Sequence, residues 1–330
     1  MKVLVTGATG FIGRSIVDSL LKMSVSVITM VRRYSDDLPH VVEQLVVDDL
    51  GTLISLGRPS DLSQDEMKQV LKNVDVVIHT AARVHMMDDD VADPLAKFRW
   101  VNTTGTIGLA RLAAEAEVKR FIFLSSIKVN GEITSLGKPF KSDDCYVPDD
   151  PYGLSKLEAE QGLLEIAKQT KMDVVIIRPP LVYGPGVQAN FNLLMKWVDK
   201  GVPMPLGAIK NQRSLIALDN LVDFITHCID HPKAANEIFL ISDGKDVSTT
   251  ELIKKLAKAL DKRVWLVTVP VSLIKFIANL LGKRDVVERL FGSLQVDSVK
   301  ARDVLGWKPV ITMDEELTKL VEAYKSEKTV

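Results

Sequence analysis

The chain begins with a short β-prone run, Lys2–Thr6, that leads into a glycine-rich turn and then into a helical pattern, in the sequence MKVLVTGATGFIG. Gly7 permits a tight turn, Gly10 lets the backbone approach a ligand closely, and Gly13 lets the helix pack against the strand. The N–H groups and the dipole of a helix N-terminus attract negative charge. This arrangement predicts a site for the pyrophosphate of a dinucleotide, here with the spacing GxxGxxG.

Apolar, β-branched runs alternate with helical stretches, which indicates a parallel sheet covered on both faces. The predicted strands are Lys2–Thr6, Val25–Val31, Val42–Val47, Val74–His79, Arg120–Ser125 and Asp173–Arg178. The predicted helices are Phe11–Lys22, Gln64–Leu71, Pro94–Ala116 and Tyr152–Thr170. We therefore predict an α/β fold with a Rossmann-type doubly wound parallel sheet.

In the second half of the chain the regularity fades, and Pro and Gly become frequent, as in PPLVYGPG and GVPMPLG. A short strand at Glu237–Ile241 and a helix at Thr249–Leu260 suggest that the chain returns to the sheet. We predict a dinucleotide-binding domain, residues 1–179 with sheet returns near 212–260, and a smaller interleaved substrate-binding lobe, residues 180–330.

Composition argues against several function classes. The chain of 330 residues has a formal net charge of −1, so no overall field attracts nucleic acid or an anionic membrane. No signal peptide is recognised, and the apolar segment Val271–Leu281 is too short to span a bilayer. That segment is predicted to be a core helix or a lid over the substrate. We expect a cytoplasmic protein with no nucleic-acid partner and no membrane insertion.

No metal site is predicted. Cys145 and Cys228 lack CxxC or histidine-containing spacing and are expected to be unpaired thiols. The acidic run Asp88, Asp89 and Asp90 is compatible with a metal site, but nothing nearby completes a ligand set, so a solvated loop is preferred.

Tyr152 and Lys156 lie four residues apart at the start of a predicted helix, which places both on one face. Lowering a tyrosine pKa from about 10 to about 7 needs roughly 4 kcal/mol, which one positive charge at about 4 Å supplies at an effective dielectric near 20. Tyr152 is therefore a candidate general base. YxxxK also occurs by chance in exposed helices, so the hypothesis depends on Ser125 and Ser126, which end a strand at the ligand-binding edge of the sheet.

Together these motifs resemble the extended short-chain dehydrogenases/reductases, a family of nucleotide-sugar epimerases, dehydratases and reductases. Besides TGATGFIG and PYGLSK, the resemblance is carried by HTAA, VNTTGT, RPPLVYGPG, QRSLIALDN and VDSVKARDVLGWKP, over nearly the whole chain. Within the family the chain resembles UDP-sugar 4-epimerases. The run FLSSIKVNGE is similar to a bacterial subgroup of 4-epimerases and 4-ketoreductases of UDP-N-acetyl-6-deoxyhexosamines, linked to O-antigen and capsule sugars.

The resemblance implies roles for individual residues. Ser126 would be the catalytic serine, Tyr152 the base and Lys156 its partner. Asp49 and Leu50 would flank the adenine. The complete set predicted to bind the cofactor is Gly7, Gly10, Phe11, Ile12, Gly13, Arg32, Arg33, Asp49, Leu50, Ala81, Ala82, Asn102, Ser125, Tyr152, Lys156 and Pro179. The set predicted to bind the substrate is Ser126, Asn190, Arg213 and Leu294.

The sequence departs from the family pattern in three places. Arg32 and Arg33 stand where NAD-dependent members usually carry an acid after the second strand. These arginines are compatible with the 2′-phosphate of NADP, with stacking on the adenine of NAD, or with a solvated turn. Chemistry slightly favours NADP and the family favours NAD, so the cofactor is predicted to be NAD or NADP. Leu181 replaces an asparagine that touches the sugar in many epimerases, and Leu294 replaces a bulky aromatic and would admit an N-acetyl group.

The resemblance implies hydride chemistry at C4 of a UDP-hexose, with Tyr152 taking the hydroxyl proton and Ser126 stabilising the oxyanion. A UDP-sugar 4-epimerase and a 4-ketoreductase would use the same residues, so both stay open. A dehydratase is disfavoured, because Ile127 and Lys128 stand where related dehydratases carry an Asp-Glu pair. The alternative is a nonenzymatic NAD(P)-sensing scaffold on the same fold. Family members also imply a homodimer, formed by the helices at 94–116 and 152–170.

Overall fold

The computed structural model describes residues 1–54, 64–84, 93–144, 146–280 and 290–329. Nine strands lie in this described part of the chain. They are β1 (Lys2–Thr6), β2 (Ser26–Val31), β3 (Glu43–Val46), β4 (Val76–His79), β5 (Arg120–Leu124), β6 (Asp173–Arg178), β7 (Leu181–Tyr183), β8 (Leu215–Ala217) and β9 (Glu237–Leu240). Seven of them form one parallel sheet in the order β3-β2-β1-β4-β5-β6-β9, and β7 pairs with β8 in a second parallel sheet.

Helices connect these strands and cover both faces of the main sheet. They are α1 (Phe11–Lys22), α2 (Gln64–Leu71), α3 (Pro94–Phe98), α4 (Thr106–Glu115), α5 (Pro151–Gln169), α6 (Ala189–Asp199), α7 (Leu218–His227), α8 (Thr249–Leu260), α9 (Val271–Leu280), α10 (Val299–Leu305) and α11 (Met313–Thr329). Short 3₁₀ turns lie at Leu50–Ile54, Ile127–Val129 and Pro232–Ala234, and a π-helical segment, Arg99–Gly105, joins α3 to α4.

Burial on both faces of the sheet explains the continuous apolar runs of its strands. In β1, Val3 and Val5 face one core cluster, which α1 and α7 complete with Ile16 and Phe224. Leu4 faces the opposite cluster, which is covered by α2, α4 and α5. Full burial of an aliphatic side chain contributes about 1.5–3 kcal/mol, so the alternation in β1 stabilises both layers. The predicted fold class, a Rossmann-type doubly wound parallel sheet, is confirmed.

The prediction of one continuous helix over Pro94–Ala116 is wrong. The chain forms α3, then the π-helical segment, then α4. Thr106 Oγ1 donates to the carbonyl of Asn102 at 2.6 Å and so competes with the backbone N–H groups for this carbonyl. A hydrogen bond from a Thr side chain to the carbonyl four residues earlier often distorts a helix locally. π-Helical turns are frequent at functional sites.

A third core cluster lies in the lobe formed by β7, β8, α6, α8 and α11, and it is centred on Tyr183, Phe191 and Leu256. Phe11, in the first turn of α1, packs against both this cluster and the α1 side of the main sheet. The chain then re-enters the main sheet, where β9 pairs with β6. The division into residues 1–179 and 180–330 stays a prediction.

Other predicted features have different outcomes. Cys228 is a buried free thiol, whereas Cys145 and Asp88–Asp90 lie outside the described residues. The apolar segment forms α9, in which Leu273 is half exposed. Within the described ranges, no helix has the length and hydropathy needed to cross a membrane. The same part of the chain contains no cluster of three or more metal-ligating side chains.

Candidate active site

The site lies at the carboxyl edge of the main sheet, where the strand order reverses between β1 and β4. Ligands of doubly wound sheets bind at such a switch point. The glycine-rich turn follows β1, Ala81 and Ala82 follow β4, Ser125 and Ser126 follow β5, and Pro179 follows β6. The topology therefore brings these sequence-predicted segments to one edge.

The glycine-rich turn has the geometry of an anion cradle. Gly7 adopts φ +71°, and a Cβ on it would lie 2.7 Å from Thr80 Oγ1. A Cβ on Gly13 would lie 2.1 Å from the Gly7 carbonyl oxygen, so helix and turn pack without room for a side chain. Gly10 is the N-cap of α1, no side chain caps this end, and the first turn contains no acidic residue. The N-terminal amides of α1 therefore suit a diphosphate, and these residues fit a dinucleotide.

Tyr152 is placed by the start of α5. Asp150 caps this helix, accepting from Tyr152 N at 3.3 Å and from Gly153 N at 2.9 Å. Ser126 caps the 3₁₀ turn after β5, where its Oγ accepts from Lys128 N at 3.3 Å, and its hydroxyl lies close enough to Tyr152 to lower the pKa of that phenol. Lys128 Nζ lies 3.3 Å from Asp150 Oδ1, which ties the turn to the helix. The two predicted catalytic hydroxyls therefore lie near each other.

Lys156 lies one turn further along α5 and is almost fully buried. Its Nζ donates to the Leu124 carbonyl at 2.9 Å and lies 4.4 Å from the centroid of the Phe123 ring. Burial lowers the pKa of Lys156 to about 7, against the opposing charge of Glu160.

The expected lowering of the Tyr152 pKa by Lys156 is not produced by the polypeptide. Burial, and secondly the charge of Asp150, raise the pKa of Tyr152 to about 12, although the nearby Ser126 hydroxyl opposes this. An ammonium with a pKa of about 7 carries only part of its charge at neutral pH, so it stabilises a phenolate weakly. The prediction neglected the desolvation of both groups.

Sequence reasoning missed a buried ion-pair network beside the predicted catalytic residues. Glu160 and Arg178 form a salt bridge at 2.5 Å, with side chains 2% and 5% exposed. Ser125 Oγ donates to Glu160 Oε1 at 2.5 Å, and Arg178 Nη1 donates to Asn130 Oδ1 at 3.0 Å. Ser125 is thus held in this network, whereas Ser126 faces Tyr152. The four-residue spacing of Tyr152, Lys156 and Glu160 was a signal that could have identified Glu160.

A second buried network braces the floor of the site. His79 lies with Nδ1 2.7 Å from Thr6 Oγ1 and Nε2 2.9 Å from Thr106 Oγ1. Burial, and then the charge of Lys156, lower the pKa of His79 to about 3, so the imidazole is neutral. Asn102 donates to Ser155 Oγ at 3.0 Å, which connects the π-helical segment to α5. Asn102 thus links two elements of the site, and its predicted role in binding the cofactor stays a prediction.

The other end of the crevice is more open. Arg32 and Arg33 follow β2 and are exposed. Asp49 and Leu50 follow β3 and are partly buried, with Asp49 Oδ1 accepting from Gly51 N at 2.9 Å. Both pairs lie on the β2 and β3 side of β1, whereas Tyr152 lies on the β4 and β5 side.

The predicted substrate residues lie on lobe segments. Arg213 pairs through its backbone with Leu294, and Arg213 Nη1 donates to the Gly292 carbonyl at 3.2 Å. Leu294 packs in the same cluster as Ile127, the residue after Ser126, so the lobe segment reaches the catalytic turn. Asn190 lies in the first turn of α6, and its side chain is outside the described part of the structure. Leu181, in β7, is half exposed.

Comparisons with known proteins agree with this arrangement. Residues 3–242 match the model of the NAD dependent epimerase/dehydratase family. A UDP-glucose 4-epimerase of Vibrio cholerae is 50% identical over 324 residues, 98% of this chain and 95% of the relative. These findings confirm the predicted resemblance and the prediction of a nicotinamide dinucleotide enzyme.

Solved structures share the fold over the full length. A UDP-glucuronic acid 4-epimerase from Bacillus cereus, in complex with NAD, has a TM-score of 0.76 at 21% identity and covers 99% of both chains. A UDP-glucose 4-epimerase from Thermotoga maritima, with UDP-glucose, has a TM-score of 0.76 at 21% identity, covering 99% of this chain and 100% of the other. With its glycine cradle, its strand-end serines and its Tyr-Lys helix at one sheet edge, this chain belongs to the NAD dependent epimerase/dehydratase family.

Proposed function

We propose that the protein is a UDP-sugar 4-epimerase that keeps its NAD through the catalytic cycle. The observation that carries this proposal is the 50% identity to the UDP-glucose 4-epimerase of Vibrio cholerae over 98% of the chain. The proximity of Ser126 to Tyr152 beside the dinucleotide crevice supports it, because hydride chemistry at a secondary alcohol needs a base and an oxyanion donor at one oxygen.

In this mechanism the C4 hydroxyl of the sugar lies between Ser126 and Tyr152. Tyr152 Oη removes the hydroxyl proton, and Ser126 Oγ donates a hydrogen bond to the developing oxyanion. When the 4-keto sugar has turned over in the pocket, Tyr152 returns the proton to the oxygen. Lys156, one turn further along α5, supplies positive charge when it is protonated, and Glu160 favours that protonated form.

Bound NAD would accept the C4 hydride and return it to the other face, and its nicotinamide charge would favour the phenolate of Tyr152. The cradle of Gly7, Gly10 and Gly13 holds the diphosphate, and Asp49 and Leu50 border the adenosine end. NAD rather than NADP is proposed, and Arg32 and Arg33 then form an exposed rim of the adenosine site.

The lobe supplies the nucleotide contacts of the substrate. Arg213 offers a fixed positive charge with a fork of donors that suits a diphosphate, and Asn190 begins the neighbouring helix. Leu294, beside Ile127, borders the sugar and admits an N-acetyl group at C2, so UDP-N-acetylhexosamines are included among the proposed substrates.

Assembly and location belong to the same proposal. A homodimer formed by α4 and α5 with their symmetry mates, a cytoplasmic location and a role in O-antigen or capsule sugar synthesis are proposed from the family resemblance. Sedimentation analysis tests the dimer directly: a monomer at micromolar concentration contradicts it.

The decisive experiment incubates the purified protein with UDP-galactose, and separately with UDP-N-acetylgalactosamine, without added cofactor. The products are quantified by anion-exchange chromatography, and the dinucleotide released on denaturation is identified. We expect interconversion of the C4 epimers and release of stoichiometric NAD on denaturation. The absorbance of reduced nicotinamide at ~340 nm should show no net change during turnover.

Tyr152→Phe is the matched variant, because it removes one hydroxyl and keeps the ring. We expect turnover to fall by about 100- to 10,000-fold, the usual contribution of general acid–base catalysis. Turnover that requires stoichiometric added NADH or NADPH and a 4-keto sugar would instead establish a 4-ketoreductase. Full activity of Tyr152→Phe would contradict the proposed chemistry.

A further inference from the structure

The π-helical segment Arg99–Gly105 touches three cofactor-facing parts of the molecule. It runs between α3 and α4, with Asn102 and Gly105 buried. Its contacts reach the turn after β3, the loop after β4 and the catalytic helix α5. A single short segment therefore sets the relative positions of elements that are far apart in the sequence.

On one side the segment carries Trp100, which holds the turn after β3. Trp100 Nε1 donates to Asp49 Oδ2 at 2.7 Å. A Cβ on Gly51 would lie 2.3 Å from the indole ring, and a Cβ on Gly105 would lie 2.9 Å from the Leu50 Cβ. The turn formed by residues 49–51 is therefore packed directly against the segment, with the indole as its wall.

On the other side the segment holds the nicotinamide end. The Asn102 side chain accepts from Arg83 N at 2.8 Å and donates to the Arg83 carbonyl at 3.1 Å. Thr103 Oγ1 donates to the Ser155 carbonyl at 2.9 Å, one residue before Lys156. The two halves of the segment are thus anchored to opposite ends of the crevice.

Sheet order identifies the end that Trp100 serves. The diphosphate cradle follows β1, and in doubly wound folds the adenosine ribose lies toward the end of β2. Asp49 follows β3, beyond β2, whereas Tyr152 and Lys156 lie on the β4 and β5 side. Asp49 Oδ1 accepts from Gly51 N and Oδ2 accepts from Trp100, so the carboxylate orientation is set by two donors.

We propose that Trp100 is a positioning residue for the adenosine end of the dinucleotide, acting through its hydrogen bond to Asp49 and its packing on Gly51. It acts on cofactor affinity, not on the chemical step. The inference depends on the dinucleotide site of the family and is independent of the sugar that the enzyme converts.

The test is Trp100→Phe, which keeps an aromatic wall against Gly51 but removes the indole N–H. The control is Trp265→Phe, because Trp265 is 68% exposed and lies in the lobe. Binding of two probes is measured by calorimetry on protein freed of dinucleotide: ADP-ribose, which lacks the nicotinamide, and nicotinamide mononucleotide, which lacks the adenosine.

We expect Trp100→Phe to weaken ADP-ribose binding about tenfold, the loss of one hydrogen bond to a charged group. Affinity for nicotinamide mononucleotide and kcat at saturating NAD should stay within about twofold, and Trp265→Phe should change neither affinity. Equal weakening of both probes, or no weakening of ADP-ribose, overturns the proposal.

Thermal shifts keep the test decisive if Trp100→Phe is less stable. A ligand raises the melting temperature according to its affinity, so ADP-ribose should stabilise the variant less than it stabilises the wild type, with an equal shift for nicotinamide mononucleotide. Equal ADP-ribose shifts in both proteins overturn the proposal. Selective loss of ADP-ribose binding in a protein that fails to epimerise UDP-sugars would refute the proposed function alone.

Discussion

The two ends of the dinucleotide crevice are built in different ways. At the Tyr152 end, charged and polar side chains are buried: Lys156 and Glu160 are each 1% exposed and Arg178 is 4% exposed. At the adenosine end, Arg32 and Arg33 are exposed, and the partly buried Asp49 accepts from Gly51 N and from Trp100 Nε1. The catalytic end therefore depends on mutual pairing of desolvated charges, while the adenosine end tolerates change at its rim.

This difference has an energetic basis. A buried charge that loses its partner keeps the full desolvation cost, whereas an exposed charge is solvated by water and screened by salt. Substitutions at the catalytic end should therefore alter stability and chemistry together. At the adenosine rim they should alter mainly cofactor preference.

The largest effect on stability is expected for Glu160→Gln, which leaves Arg178 buried without its carboxylate. We expect the free energy of unfolding to fall by about 3–5 kcal/mol, measured by denaturant titration. The control is Glu158→Gln on the same helix, whose partner Arg99 is half exposed, with an expected loss below about 1 kcal/mol. Equal losses in the two variants would remove the contrast between buried and exposed charges on which the comparison of the ends depends.

Glu316 is a buried carboxylate outside the crevice, and it allows the effect of burial on a charged group to be measured apart from the effect of ion pairing. Burial, then the charge of Asp219, raise the pKa of Glu316 from 4.5 to about 7. The folded protein thus binds more protons than the unfolded chain between these values, and stability falls as the pH rises through this window.

Glu316→Gln should remove this pH dependence. The free energy of unfolding of the variant should therefore rise, relative to that of the wild type, by up to about 3 kcal/mol between pH 4.5 and pH 8. Denaturant titrations at the two ends of that range provide the measurement, with Glu315→Gln as the neighbouring control. An unchanged difference between Glu316→Gln and the wild type across the range would show that the carboxylate is already ionised in the folded protein.

Asp150, the N-cap of α5, is expected to affect both stability and catalysis, with a smaller effect on stability than the two glutamates. Asp150→Ala should cost about 1 kcal/mol, the usual value of an N-cap, while Asp150→Asn keeps an acceptor and most of that stability. Because the Asp150 charge raises the pKa of Tyr152, both variants should move the acidic limb of the activity profile to lower pH. An unmoved limb would mean that this charge does not act on the phenol during turnover.

The smallest effect on stability is expected at the adenosine rim. Arg32→Ala and Arg33→Ala should change the free energy of unfolding by less than about 0.5 kcal/mol. Competitive titration with NAD and NADP should show NAD affinity nearly unchanged and any NADP affinity reduced. A parallel loss for both dinucleotides would indicate that the arginines stack on adenine.

Local signals in the sequence predicted much of the fold. The bounds of α1, α2 and α8 match because a glycine cradle, acidic first-turn residues and a Ser248 capping box mark their starts. The Tyr-Lys pair and the strand-end serines were predicted because each lies in a short motif at a recognisable position.

Features that depend on distant contacts were not predicted. Glu160 and Arg178 lie on different elements and pair only when α5 packs on β6. The π-helical segment around Asn102, where Thr106 Oγ1 donates to the Asn102 carbonyl, consists largely of weak helix formers, and the predicted helix ran through them from one helical stretch to the next. The raised pKa of Tyr152 reflects burial by the whole fold, which no spacing of residues encodes.

The ring of Phe11 has a kinetic consequence. It lies in the first turn of α1, packs against two hydrophobic clusters and lies near Gly186, whose added Cβ would be 3.8 Å from that ring. The lobe therefore cannot swing away without uncovering an aromatic side chain at the mouth of the diphosphate cradle. Because Phe11 also lies in the turn whose amides suit the diphosphate, we expect opening of the lobe to accompany escape of the dinucleotide, and the packing of this ring then slows cofactor release.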